Sequence, residues 1–261
     1  MARRIAFGKN KGGTGCTTNV VRLAEALAKA GHRVGVADMD PQGNASRRLG
    51  WVDSPDKLTV AEAIEASADG VASQVWQPIG WDAPFAERIT LLPARIELEN
   101  RAREVAQRGA YRRFAKALKG ADSHLDYLLI DCQPAFGHLT EMAMAAAHFA
   151  VGTTEAKYDA IQGMLRWREF VESAGEDLGN PDVAFAGVIV SSYDQRLTAH
   201  SGQLANCRKL FGEHVWGVVP SRTTLLNADE YALPLDQVAG SGEVRAVYEL
   251  LAQHLVKEIP A

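Results

Sequence analysis

At 261 residues, with 47% hydrophobic and 23% charged content, the chain is long enough to bury a full core and has an ordinary globular make-up. Its formal net charge of −4 excludes a polycation drawn as a whole to nucleic acid, so DNA binding would need a local patch, oligomerisation or both. Three scattered cysteines, Cys16, Cys132 and Cys207, argue against a disulfide scaffold or a structural zinc site. The N-terminus is too short for a signal sequence and no run of about twenty apolar residues spans a membrane, so the chain reads as a soluble cytoplasmic protein.

Taken in order, apolar runs that read as buried parallel strands fall at residues 5–7, 34–37, 89–92, 127–130, 149–151, 183–190 and 215–219. Helical periods occupy 19–30, a long stretch over 96–119, then 139–147, 161–174 and 199–211, and finally 243–256. This alternation predicts an α/β fold with a mostly parallel central sheet flanked by helices on both faces. The region 51–93, which holds Pro55, Trp76, Pro78, Trp81 and Pro84, reads as a loop-rich insertion. The last helix has few cations and is followed by Pro260, which suits core packing better than lying on lipid. Ligands of such sheets sit beyond the carboxyl ends of the strands, so the residues that follow each strand are the ones to inspect.

After the first strand comes Gly8-Lys9-Asn10-Lys11-Gly12-Gly13-Thr14-Gly15-Cys16-Thr17-Thr18. Its glycines let backbone N–H groups turn inward around an anion, and the following helix adds its N-terminal partial charge. The phosphate-loop signature G-x-x-x-x-G-K-[ST] is broken twice, by Asn10 at the first glycine and by Cys16 at the lysine. Thr17 still offers a hydroxyl where Mg²⁺ bridging a nucleotide's outer phosphates would sit. The second strand ends in Asp38-Met39-Asp40-Pro41-Gln42-Gly43-Asn44, whose two carboxylates can reach a metal-bound phosphate or orient a water. Asp131 ends another apolar strand, as in nucleotidases that hold Mg²⁺ from that point. The bland alternatives are a packing turn for the loop and turn or cap chemistry for the aspartates.

Together these stretches resemble the ParA family of partition ATPases, the deviant phosphate-loop group that also contains MinD and nitrogenase reductase. The family loop K-G-G-x-G-K-[ST]-[ST] is matched by Lys11, Gly12, Gly13, Gly15, Thr17 and Thr18, with Thr14 at the variable position. D-x-D-P-Q-G-N is complete from Asp38 to Asn44, and D-C-P-P is matched by Asp131, Cys132 and Pro134, with Gln133 replacing a proline. The similarity continues through residues 92–98 and 187–190 to Val218-Val219-Pro220. It implies an ATP and Mg²⁺ site in a single nucleotide-binding domain over residues 1–261, without a helix-turn-helix extension ahead of the first strand. Lys11 would reach across a homodimer to the partner copy's nucleotide. Thr17 and Asp131 would hold Mg²⁺ with Asp38 beside them, and Asp40 would position the attacking water. Pro220 and Ser221 would border the adenine. The ATP-bound dimer would bind DNA non-specifically on the nucleoid through Arg196 and Arg222, and a ParB-like partner would stimulate hydrolysis.

The departures point to altered chemistry. Losing a charge-assisted hydrogen bond at Cys16 removes roughly 1.5–3 kcal/mol of phosphate binding, and a cysteine at a helix N-terminus tends toward thiolate, which repels phosphate. Weak hydrolysis is therefore expected. Lys9 is read as a surface lysine in preference to a substitute cation. Residues 153–158 depart from the family pattern and are expected only to line the cleft. Between residues 95 and 119, eight cations face three carboxylates, a cationic helical face that is either solvated or a dimer or phosphate-backbone surface. The competing readings are a hydrolysis-deficient scaffold or DNA binder, a MinD-like membrane-positioning ATPase and a biosynthetic amidoligase.

Overall fold

The computed structural model describes residues 1–9, 13–134 and 136–261. Its strands are β1 (Arg3–Gly8), β2 (Val34–Met39), β3 (Gln77–Pro78), β4 (Ile89–Leu92), β5 (Tyr127–Cys132), β6 (Phe149–Glu155), β7 (Ala184–Tyr193) and β8 (Val215–Pro220). Among the described residues they form one sheet in the order β3-β4-β2-β5-β1-β6-β7-β8. Every pairing is parallel except β3 with β4. The short antiparallel edge comes from inside the predicted insertion, which thereby becomes part of the sheet.

Strand alternation sends side chains to two cores. Ile5 and Phe7 of β1 pack on one face with α1 (Cys16–Lys29) and α10 (Gly242–Glu258), while Ala6 points to the other. α10 buries Val244, Tyr248, Leu251, Ala252 and Leu255, so its apolar stripe is used inside the fold, as the sequence suggested. The opposite face carries α6 (His138–Ala146), α7 (Tyr158–Asp177) and α8 (Thr198–Phe211). Helices therefore cover both faces, as predicted.

Two helices outside the prediction also matter: α2 (Asn44–Arg48), directly after the second motif, and α9 (Thr223–Glu230), after β8. α3 (Val60–Ala66) is set by a Thr59–Glu62 capping box. The long helix predicted over 96–119 is instead α4 (Leu98–Ala102) and α5 (Arg113–Ala117) with 3₁₀ turns between. The break lies where Gln107 is extended (ψ 128°) and Gly109 is left-handed (φ 75°), neither of which an α-helix accommodates.

β1 lies between β5 and β6, so the crossovers depart to opposite sides beside its carboxyl end, the usual ligand crevice of this architecture. Gly8 pairs with Gly152 of β6. An added Cβ would lie 2.0 Å from Trp167 on Gly8 and 2.0 Å from Met164 on Gly152. These glycines make room for α7 to pack. Gly8 thus serves packing, ahead of the phosphate loop proper.

Candidate nucleotide site

The loop enters α1 through Gly13 (φ 84°) and Gly15 (φ 79°), both in the left-handed region. At Gly15 an added Cβ would also meet Ser191 at 3.3 Å. Gly15 caps α1 without a side-chain hydrogen bond, and the first turn holds no acidic residue. The leading N–H groups of a 14-residue helix are therefore left for an anion. A cleft of about 570 Å³ opens there, lined by Gly13, Gly15, Cys16, Thr17 and Thr18, by Asn44, Arg47 and Arg48 of α2, and by the ends of β7 and β8. Thr14 is buried and its hydroxyl has no hydrogen-bond partner among the described residues. The predicted contacts Lys11 and Gly12 lie outside the described residues.

Two expectations about this loop are overturned. Cys16 is 1% exposed and packs with Val20, Phe7 and the rest of the α1-side core. Burial pushes its thiol well above the ordinary cysteine range, further than the Lys9 charge draws it down, so the sulfur is neutral and the thiolate argument fails. Lys9 is 7% exposed and lines the cleft, so it is no surface lysine. Burial alone would lower its pKa, but the acidic groups around it, Cys16, Asp131 and Asp40, outweigh that and hold it above the usual lysine value.

The carboxylates occupy the β2–β5 side of the loop and are not part of the cleft wall. Asp38 and Asp131 are register partners on adjacent strands, and both are fully buried. Asp38 accepts from Ser46 N and Ser46 Oγ at 2.8 Å and from Asp40 N at 3.2 Å, which ties the motif loop to α2. Burial pushes Asp38 up to about 7, aided by the Asp131 charge and opposed by the Ser46 and Asp40 bonds. Asp40, 7% exposed, uses Oδ1 to accept from Gln42 N at 3.0 Å.

Asp131 differs from both. Neither of its oxygens has a hydrogen-bond partner among the described residues. Burial raises its pKa, against the pull of the Lys9 charge and of the Thr17 hydroxyl, which lies nearby but outside hydrogen-bonding geometry. An orphaned buried carboxylate beside a hydroxyl fits a small hard cation. Among the described residues no cluster of three or more His, Cys, Asp or Glu could hold a metal by itself. Mg²⁺ takes few protein ligands and completes its shell with phosphates and water.

Pro220, Ser221 and Arg222 line the cleft opposite the loop. The Arg222 guanidinium is held by Glu243 through two bonds of 2.8 Å. Arg196 lies away from the cleft wall, 85% exposed in its side chain, and binds Asp194 at 2.9 and 2.7 Å. The cationic stretch 95–119 is not one helical face, and Arg95, Arg101, Arg103, Arg113 and Lys119 each pair with a carboxylate. Residues 153–158 do not line the cleft; Ala156, Lys157 and Tyr158 border a separate hollow.

Sequence reasoning missed the groups that brace the site. Thr18 Oγ1 donates to Asp229 Oδ2 at 2.5 Å and accepts from Arg48 at 2.9 Å. Asp229 also binds the fully buried Arg22 at 2.9 Å, joining α1, α2 and α9. Asn19 bonds Ser191 at 2.8 Å and accepts from Tyr248 at 2.8 Å, locking α1 to β7 and α10. Asp229 sits in a segment without helical period and no motif marks it, so only the tertiary contact reveals its place.

Residues 2–185 match the family model described as an AAA domain. The chain is 31% identical over 258 residues to the chromosome-partitioning ATPase Soj of Thermus thermophilus, covering 98% of this chain and 96% of that protein. A variant of Cyanothece McdA in complex with ATP superposes with a TM-score of 0.85 at 20% identity, covering 97% of this chain and 96% of that one. A cobyrinic acid a,c-diamide synthase of Mycobacterium smegmatis, solved with ADP and magnesium, gives a TM-score of 0.73 at 28% identity over 89% of this chain and 93% of that one.

Proposed function

Because the chain belongs to the ParA family of partition ATPases, we propose that it works in the cytoplasm as an ATP-dependent switch in DNA segregation or cargo positioning. The observation that carries this reading is Asp131, a fully buried carboxylate with both oxygens unclaimed, set behind the uncapped α1 N-terminus and beside Thr17. In this reading residues 1–261 form a single nucleotide-binding unit. The loop and the start of α1 bind phosphate, Thr17 and Asp131 hold Mg²⁺, and Pro220 and Ser221 border the base. Asp38 keeps Asp40 and α2 in place through its three bonds, and Asp40 orients water. Bound Mg²⁺ would neutralise charge developing on the outer phosphates.

Lys11 would serve the nucleotide of a second copy, so that ATP favours a homodimer. The dimer would then bind DNA without sequence preference and answer to a ParB-like stimulating partner. Arg196 and Arg222 suit phosphate contacts, because exposed pairs such as those with Asp194 and Glu243 are weakened by solvent screening and yield easily to a phosphate. Without a lysine at position 16, hydrolysis is slow.

ATP turnover and DNA co-sedimentation of the natural protein and of Cys16→Lys test this. The expected result is ATP-dependent DNA pelleting by both, with faster turnover in the variant. Natural turnover equal to that of the variant would refute the slow-switch part. DNA pelleting indifferent to ATP would refute the switch.

A further inference from the structure

We propose that Lys9 supplies the cation that binds the nucleotide's outer phosphates, taking over the binding, though not the rate, that a lysine at position 16 would give. This rests on the reading of the cleft as an ATP site. Lys9 directly follows Gly8, the last residue of β1, and β1 runs between β5 and β6 into the crevice. Lys9 lines the cleft together with Gly13, Gly15, Cys16 and Thr17, the residues that would face phosphate.

The other described cations on that wall are already engaged. Arg48 pairs with Asp229 at 2.9 Å, Arg222 with Glu243 at 2.8 Å, and Arg47 donates to the carbonyls of Asp229 and Glu230 at 3.2 Å. Lys9 has no hydrogen bond or ion pair among the described residues, although it is 7% exposed. An ammonium buried in that way is costly, and folds keep such groups chiefly where a ligand completes them. Cys16 cannot compete for this role, because it is neutral, wholly buried and packed into the apolar core.

The burial of Lys9 also explains how the loop could dispense with a lysine at position 16. A lysine at the strand end and one at the helix start would serve the same anion. The charge is preserved while its point of attachment moves from α1 to β1.

The test measures binding of Mg²⁺ with a hydrolysis-resistant ATP analogue to four proteins: natural, Lys9→Gln, Cys16→Lys and the double variant. Lys9→Gln should weaken binding about ten- to hundredfold, the worth of one charge-assisted hydrogen bond. In the Cys16→Lys background the same change should cost less than about threefold, since the second lysine covers for the first. Thermal melting without nucleotide guards against misfolding, and Lys9→Gln should melt no lower than the natural protein. Equal binding by Lys9→Gln and the natural protein would overturn the assignment, as would an equal loss in both backgrounds. If the natural protein binds no nucleotide at all, the ATP reading of the cleft falls first and the Lys9 assignment falls with it.

Discussion

Asp131→Asn should make the nucleotide-free protein more stable and at the same time remove its response to Mg²⁺. The side chain is fully buried with both oxygens unpartnered, and its pKa is raised even though Lys9 pulls the other way. Its surroundings as a whole therefore disfavour the charge. Asp38 gives a scale: its rise from 3.8 to about 7 corresponds to roughly 4 kcal/mol at about 1.4 kcal/mol per unit. Burial is the largest cause of that rise and the Asp131 charge the second, so removing that charge gives back part of it, on the order of 1–2 kcal/mol. For a chain of this size that corresponds to a Tm increase of about 2–6 °C. Differential scanning fluorimetry in EDTA reads this directly. Adding Mg-ATP at about a hundred times Kd should stabilise the natural protein by about 2.7 kcal/mol and the variant far less. A lower Tm for the variant in EDTA, or an undiminished gain from Mg-ATP, would refute the reasoning.

Three further outcomes follow from the geometry. Arg22→Ala strips a fully buried guanidinium from Asp229 and Glu25 and should cost about 3–5 kcal/mol in urea unfolding, whereas the exposed Arg33→Ala should leave the urea midpoint nearly unchanged. Cys16, Cys132 and Cys207 are all buried, so a thiol reagent should find none of them in the native protein and all three in denaturant; one fast native thiol would restore the thiolate reading of Cys16. Asp38 has a folded pKa raised above its unfolded value, so the stability it contributes is present below about 4 and is lost as pH rises through about 7. The urea midpoint should fall more between about pH 5 and about pH 8 in the natural protein than in Asp38→Asn, and equal slopes would contradict this.

The strands were legible because buried parallel strands are short apolar runs, and each predicted run is found in the sheet. The residues of the second and third motifs were legible for the same reason, as polar groups placed where strands end. Lys9 was not. Whether a lysine beside a glycine loop faces solvent or cleft depends on strands far off in sequence, and periodicity does not carry that information. Arg196 and Arg222 were expected to contact DNA, and the sequence did not show that they pair with Asp194 and Glu243, two and twenty-one residues away. The cationic helix over 96–119 was an error of a different kind, since Gln107 and Gly109 interrupt the period locally. In region 51–93, Trp81 packs against Phe85 and under Arg22, so tryptophans taken for loop residues build the core that buries Arg22.

The central claim is that the loop after β1, although it lacks a lysine at its helix start, still forms a Mg-nucleotide site with Asp131. Isothermal titration of the natural protein with a hydrolysis-resistant ATP analogue, with Mg²⁺ and then with EDTA, addresses it most directly. The account predicts saturable binding of one nucleotide per chain that weakens markedly when Mg²⁺ is withdrawn. No binding in either condition, or equal affinity in both, would contradict it.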